Sequence, residues 1–89
     1  MWRINQRIPQ TIVRDDGLWS RGDSGGASDW QYCNEGEIAV SGGGECPYPA
    51  FTFKSVPTPD GRGWIHDCDD GTGSGWAPAR AYAVCMPRQ

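Results

Sequence analysis

The chain has 89 residues and a mass of 9.7 kDa, room for one small domain or a piece of a longer protein. Its net charge of −3 at pH 7 and pI near 4.8 argue against a nucleic-acid partner, whose phosphates select a basic surface. Thirteen glycines, seven prolines and five tryptophans predict many turns, little helix, and some indoles left facing solvent.

In chain order, residues 2–5 and 11–14 read as short strands on either side of Pro9, and Asp15-Asp16-Gly17 reads as a turn. Residues 20–29 are rich in Ser, Gly and Asp and read as a loop. Residues 1–32 are therefore expected to form an N-terminal connector or short-strand segment. Within it, Gly22-Asp23-Ser24-Gly25-Gly26 spells the nucleophile signature of chymotrypsin-like serine proteases. No histidine precedes Ser24, and Ala27 stands where that family has proline. A triad is a constellation of base, nucleophile and orienting acid rather than a string. No catalytic residue is assigned, and the chain is not expected to be an enzyme. Arg21-Gly22-Asp23 matches an integrin ligand only over three residues, a length that arises by chance in such loops.

Residues 33–89 form the expected body. Strands are predicted at 37–40, 51–54, 63–68 and 79–85, where apolar residues alternate or cluster between turn signals. Ser41-Gly42-Gly43-Gly44-Glu45-Cys46 is expected to be a tight turn that organises the fold, because three glycines after Ile38-Ala39-Val40 suit positive φ better than strand. Pro57-Thr58-Pro59-Asp60-Gly61 is a second turn, and residues 69–75 form an acidic, glycine-rich loop. Ile38, Val40, Phe53, Trp64, Tyr82 and Val84 are the expected core. The fold class that follows is all-β: a small, disulfide-stapled antiparallel sandwich or barrel-like domain.

Cysteine usage supports the stapling. Four cysteines without a CxxC pair, and one histidine, read as two bridges rather than a metal site. A chain this short barely offsets its ordering entropy with its core, so bridges matter. They place the folded protein in an oxidising compartment. Which cysteines pair stays open among three connectivities. Asp67, Asp69 and Asp70 fail the EF-hand pattern, since Gly71 falls on a ligand position and no glutamate closes the loop. They read as a solvated acidic loop, and no cofactor or metal is expected. His66 is expected to face solvent or bond backbone. No apolar run reaches transmembrane length, so no membrane insertion is expected. Met1-Trp2-Arg3 is followed by polar residues rather than a signal-peptide core, so export is expected to depend on a longer parent chain or on lysis.

The tryptophans carry the functional signal. Indole presents a flat apolar face and one N–H donor, which suits the apolar faces of pyranose rings. Trp64 and Trp76 flank the acidic loop; Trp64 is expected to fill the core and Trp76 to be exposed. The expected ligand face carries Trp64, His66, Asp69, Asp70, Trp76 and Arg80, with Arg62 and Arg80 suited to phosphorylated or acidic sugars.

Cys33-Asn34-Glu35-Gly36, Ser41-Gly42-Gly43-Gly44, Ser55-Val56-Pro57, Gly63-Trp64-Ile65 and Ala81-Tyr82-Ala83-Val84-Cys85 follow one another in an order that resembles a module at the ends of surface adhesins and fibres. It is similar to the C-terminal tip segments of shufflon-encoded conjugative pilus adhesins and of some phage tail fibres or spikes. The resemblance covers residues 33–85. It implies an extracellular receptor-binding tip, directed at cell-surface glycans such as lipopolysaccharide and commonly trimeric. It also implies that Cys33 pairs with Cys85 and Cys46 with Cys68. The alternative expectation is a structural cap that trimerises the end of a phage tail fibre or spike without binding a receptor.

Overall fold

A computed structural model of the chain describes residues 10–21, 26–72 and 77–88. The expected strand at 2–5, most of the Gly22–Gly26 motif and Trp76 lie outside the described residues. Among the described residues six strands form: β1 (Ile12–Arg14), β2 (Gly26–Tyr32), β3 (Glu37–Glu45), β4 (Phe51–Pro57), β5 (Gly63–Asp69) and β6 (Arg80–Pro87). They make two antiparallel three-stranded sheets, ordered β1-β6-β3 and β2-β5-β4. The sheets lie face to face, and no helix occurs among the described residues. The expected all-β sandwich class is the one found, and the described strands do not close into a barrel.

The disulfides are Cys33–Cys85 and Cys46–Cys68, with sequence separations of 52 and 22. This is the pairing that the resemblance implied. Each bridge anchors one apolar cluster: Cys33 and Cys85 pack with Ala83, Ala39 and Trp64, and Cys68 packs with Ala77, Ala79, Ala27 and Ala50. The buried members of both clusters are all alanine or half-cystine.

The expected core is corrected on both composition and face. In β6 the buried residues are Ala81, Ala83 and Cys85, while Tyr82 and Val84 alternate onto the opposite, half-exposed side. Successive side chains of a strand point to opposite faces, and in β6 the small parity faces inward. Ile38 is likewise half-buried, on the outer parity opposite Met86. Val40 and Phe53 fail for a second reason. The β3–β6 register slips between Ala39 and Ser41, and the β4–β5 register slips between Thr52 and Lys54. Val40 and Phe53 are thus the extra residues of two β-bulges, which leave a residue unpaired and bend the strand. They are 47% and 68% exposed. Of the six, only Trp64 packs between the sheets, and it remains half-buried.

The glycine triplet is not a turn. Gly42, Gly43 and Gly44 lie inside β3, opposite Ala83, Tyr82 and Ala81, and none has positive φ. They are glycine because of what crosses them. A β-carbon on Gly42 would fall inside the Trp64 indole, and one on Gly44 would meet the Arg80 carbonyl oxygen and the His66 ring. The missing side chains let β5 press its two rings against the β3 backbone.

β1 pairs with β6 and β2 pairs with β5, so Ile12–Arg14 and Gly26–Tyr32 each supply a short strand to one of the sheets. The expected strand at 11–14 is found as β1, whereas β2 replaces part of the expected loop. It forms because Asp29, which reads as a loop residue, has a buried use. Its carboxylate accepts hydrogen bonds from the Ala81 N–H at 2.7 Å and the Ser20 hydroxyl at 2.6 Å, tying β2 to the other sheet. Asp29→Ala would leave the buried Ala81 N–H unpaired and is expected to cost about 2 kcal/mol. Asp29→Asn keeps an acceptor and should cost about half as much. Equal losses in denaturant titrations would show that the carboxylate is not acting as this clamp.

Candidate functional site

Side chains at 28, 30 and 32 of β2, 65 and 67 of β5, and 54 and 56 of β4 share the face of their sheet that points away from the sandwich, as the cross-strand partners Ser28–Asp67, Trp30–Ile65 and Val56–Ile65 require. On it Trp30 and Tyr32 are 46% and 48% exposed, with ring centroids 6.4 Å apart and planes tilted by 41°. The Trp30 indole N–H donates to the Ser28 hydroxyl at 3.0 Å, which holds the ring along the strand. The bulge at Phe53 brings a third aromatic ring to the same side, beside Ser28, Asp67 and Asp69, where a shallow groove of about 350 Å³ opens.

Asp67 sits in that groove in an unusual state. Its Oδ1 is buried and has no hydrogen-bond partner among the described residues, while Oδ2 lies 3.9 Å from the Lys54 ammonium. An unpaired buried carboxylate oxygen is costly. Among the described residues it is an acceptor without a donor. Aromatic faces beside a carboxylate and an ammonium can stack on an apolar ring while accepting from and donating to its hydroxyls.

The six residues expected to form one ligand face are dispersed. Trp64 and His66 point inward, between the sheets, over Gly42 and Gly44. The Trp64 indole N–H donates to Ser55 Oγ at 2.8 Å. His66 is 3% exposed, and its ring nitrogens pair with Thr52 Oγ1 and Ser55 Oγ, both at 3.1 Å, rather than with solvent or backbone. Burial lowers its pKa below the ordinary imidazole value, against the weaker opposing pull of Asp67 and Asp29. Asp69 lies at the end of β5 on the groove, but its Oδ1 accepts from the Gly71 N–H at 2.7 Å. Asp70 caps its own loop through Thr72 and borders a different groove, lined by Pro47, Tyr48, Pro49 and Pro78. Arg80 belongs to the other sheet, on the side away from Ala79 and Ala81, where it pairs with Asp15 at 3.2 Å and lies over Trp19. Trp76 lies outside the described residues.

The chain matches no family model, no curated protein and no solved structure. The site is thus read from its own geometry. Trp30, Tyr32, Phe53 and Asp67 were not among the expected ligand residues. The signal was present in Ser28-Asp29-Trp30-Gln31-Tyr32, whose two aromatic residues fall on one parity, but only once 26–32 is a strand.

Proposed function

We propose that this chain is a glycan-binding module, the receptor-binding end of an extracellular adhesin or fibre, and that it binds through the outer face of the β2-β5-β4 sheet. The observation that carries the reading is the exposed aromatic rings at Trp30, Tyr32 and Phe53 on the same sheet face as Asp67, whose Oδ1 has no hydrogen-bond partner among the described residues. A pyranose laid on the rings would turn its hydroxyls toward Asp67 and Lys54. The two disulfides agree with an oxidising environment. The pilus or phage parent, and the direction toward lipopolysaccharide, rest on the sequence resemblance over 33–85.

A glycan array probed with the intact chain tests this. Trp30→Ala is expected to weaken the best glycan by about 1–3 kcal/mol, the scale of an aromatic anchor. The melting temperature should stay within a few degrees, because the ring is half-exposed. Asp67→Asn should weaken binding as well, since it replaces an acceptor oxygen with a donor. If both variants bind like the parent, the site lies elsewhere. If no glycan binds and the native mass is that of a trimer which Trp30→Ala dissociates, the face serves a structural cap instead.

A further inference from the structure

Behind the glycan face, inside the sandwich, a second cluster has a different chemistry. Cys46, His66 and Cys68 bring two sulfurs and an imidazole nitrogen within 4.8 Å of one another. The Cys46 Sγ lies 3.6 Å from His66 Nε2, Thr52 Oγ1 lies 3.1 Å from the same nitrogen, and sulfur and hydroxyl are 3.7 Å apart. Those separations form a triangle with a familiar size. Tetrahedral zinc, with Zn–S of about 2.3 Å and Zn–N of about 2.0–2.1 Å, spaces neighbouring sulfur and nitrogen ligands about 3.6 Å apart.

The cluster is also built to orient a ligand. His66 Nδ1 is fixed by Ser55 Oγ at 3.1 Å, which leaves Nε2 directed at Cys46 and Thr52. A second partner on the far ring nitrogen is how metal-binding histidines are held in one tautomer and orientation. Gly44 provides the room in which the ring sits. His66 and Cys68 are buried, whereas Cys46 is only half-buried and Thr52 is exposed, so the cluster has a dry side and an entry side.

The obstacle is the bond between the sulfurs, and it is removable. Cys33 and Cys85 are both buried, so Cys46 offers the accessible sulfur of the two bridges. We propose that reduction of the Cys46–Cys68 bridge converts this cluster into a zinc site, with Cys46, Cys68 and His66 as ligands and the fourth position open toward Thr52. A dithiol reductant passes two electrons and two protons to the Cys46–Cys68 bond and is itself oxidised to a disulfide. The two thiols then lose their protons to solvent as Zn²⁺ binds the thiolates. The Cα atoms are 5.7 Å apart, so the sulfurs can separate to metal-ligand spacing by side-chain rotation, with the backbone in place. Thiolate and imidazole together select zinc over calcium or magnesium. The chain would then have a zinc-held form under reducing conditions and a disulfide-held form under oxidising ones.

The test uses the intact chain, a phosphine reductant that does not compete for metal, and Zn²⁺ or Co²⁺ alone. Alkylation mapping should find Cys46 and Cys68 labelled before Cys33 and Cys85. The reduced chain should bind one metal ion, with thiolate-to-cobalt charge-transfer absorption for Co²⁺, and the oxidised chain none. His66→Gln should weaken Zn²⁺ at least about tenfold, and Glu37→Gln, beside the other bridge, should leave the cobalt absorption unchanged. If reduction unfolds the chain, it is refolded with and without Zn²⁺. Zinc-dependent recovery of the β circular-dichroism signal, lost in His66→Gln, supports the site. No metal bound, no zinc-dependent recovery, or equal affinity in His66→Gln would overturn it.

Discussion

Valine at Gly44 is expected to leave the chain unfolded, whereas valine at Gly43, one residue away in the same strand, is expected to leave it folded. A β-carbon at Gly44 meets the Arg80 carbonyl oxygen, a backbone atom of the neighbouring strand, and the His66 ring held by two hydrogen bonds. Neither can move without breaking the β3–β6 ladder or the inter-sheet contact. Strain of that kind belongs to the rare losses above about 4–5 kcal/mol, close to the whole stability of a domain of this size. At Gly43 the nearest atom is the Tyr82 hydroxyl at 2.6 Å, the far end of a half-exposed side chain that can swing aside. There valine should cost about 1 kcal/mol, offset in part by its preference for strand. Gly42→Val should resemble Gly44→Val, since it displaces the Trp64 indole. Thermal melts of the three variants decide it. Equal loss at Gly43 and Gly44 would mean that the triplet acts through backbone conformation rather than through close approach.

Removing Cys33–Cys85 is expected to be the more damaging of the two bridge deletions. Its bridge spans 52 residues against 22 for Cys46–Cys68, so it withholds more freedom from the unfolded chain, about 4 against about 3.5 kcal/mol in the loop-entropy account. Both sulfurs also lie in the centre of their cluster with Ala83, so replacement by alanine adds a cavity cost. Cys33→Ala/Cys85→Ala should therefore lower the denaturation midpoint further than Cys46→Ala/Cys68→Ala. Loss of both bridges, at about 7–8 kcal/mol, should unfold the oxidised-form domain outright. A chain that melts unchanged after full reduction and alkylation would remove the bridges from the account of its stability.

Much of this protein follows from local chemistry. The even cysteine count, the alternation around 51–54 and 63–68, and the Asp-Gly turns required only that short strands be joined by tight reversals and stapled. The turns at Asp15-Asp16-Gly17 and 57–61 are where their residues place them, since an aspartate oxygen accepting from an N–H two residues on is a local bond. Four strands of the body are found at the expected positions for the same reason.

Tertiary structure decided what each strand faces. Whether Tyr82 or Ala81 turns inward depends on which parity of β6 meets the other sheet, and on that inner side Gly42 and Gly44 make room for Trp64 and His66. Two bulges left Val40 and Phe53 as unpaired extra residues, 47% and 68% exposed. Asp29 made a strand of a loop-like sequence because the Ala81 N–H and the Ser20 hydroxyl, both remote in the chain, satisfy its carboxylate. The candidate site moved with these choices. Trp64 and His66 were drawn between the sheets by the missing β-carbons of β3, and Trp30, Tyr32 and Phe53 were left on the outer face. Residue type alone announced tryptophans, a histidine and acids. Side-chain direction is a property of strand parity and of the partner across the sandwich, and neither exists until the sheets meet.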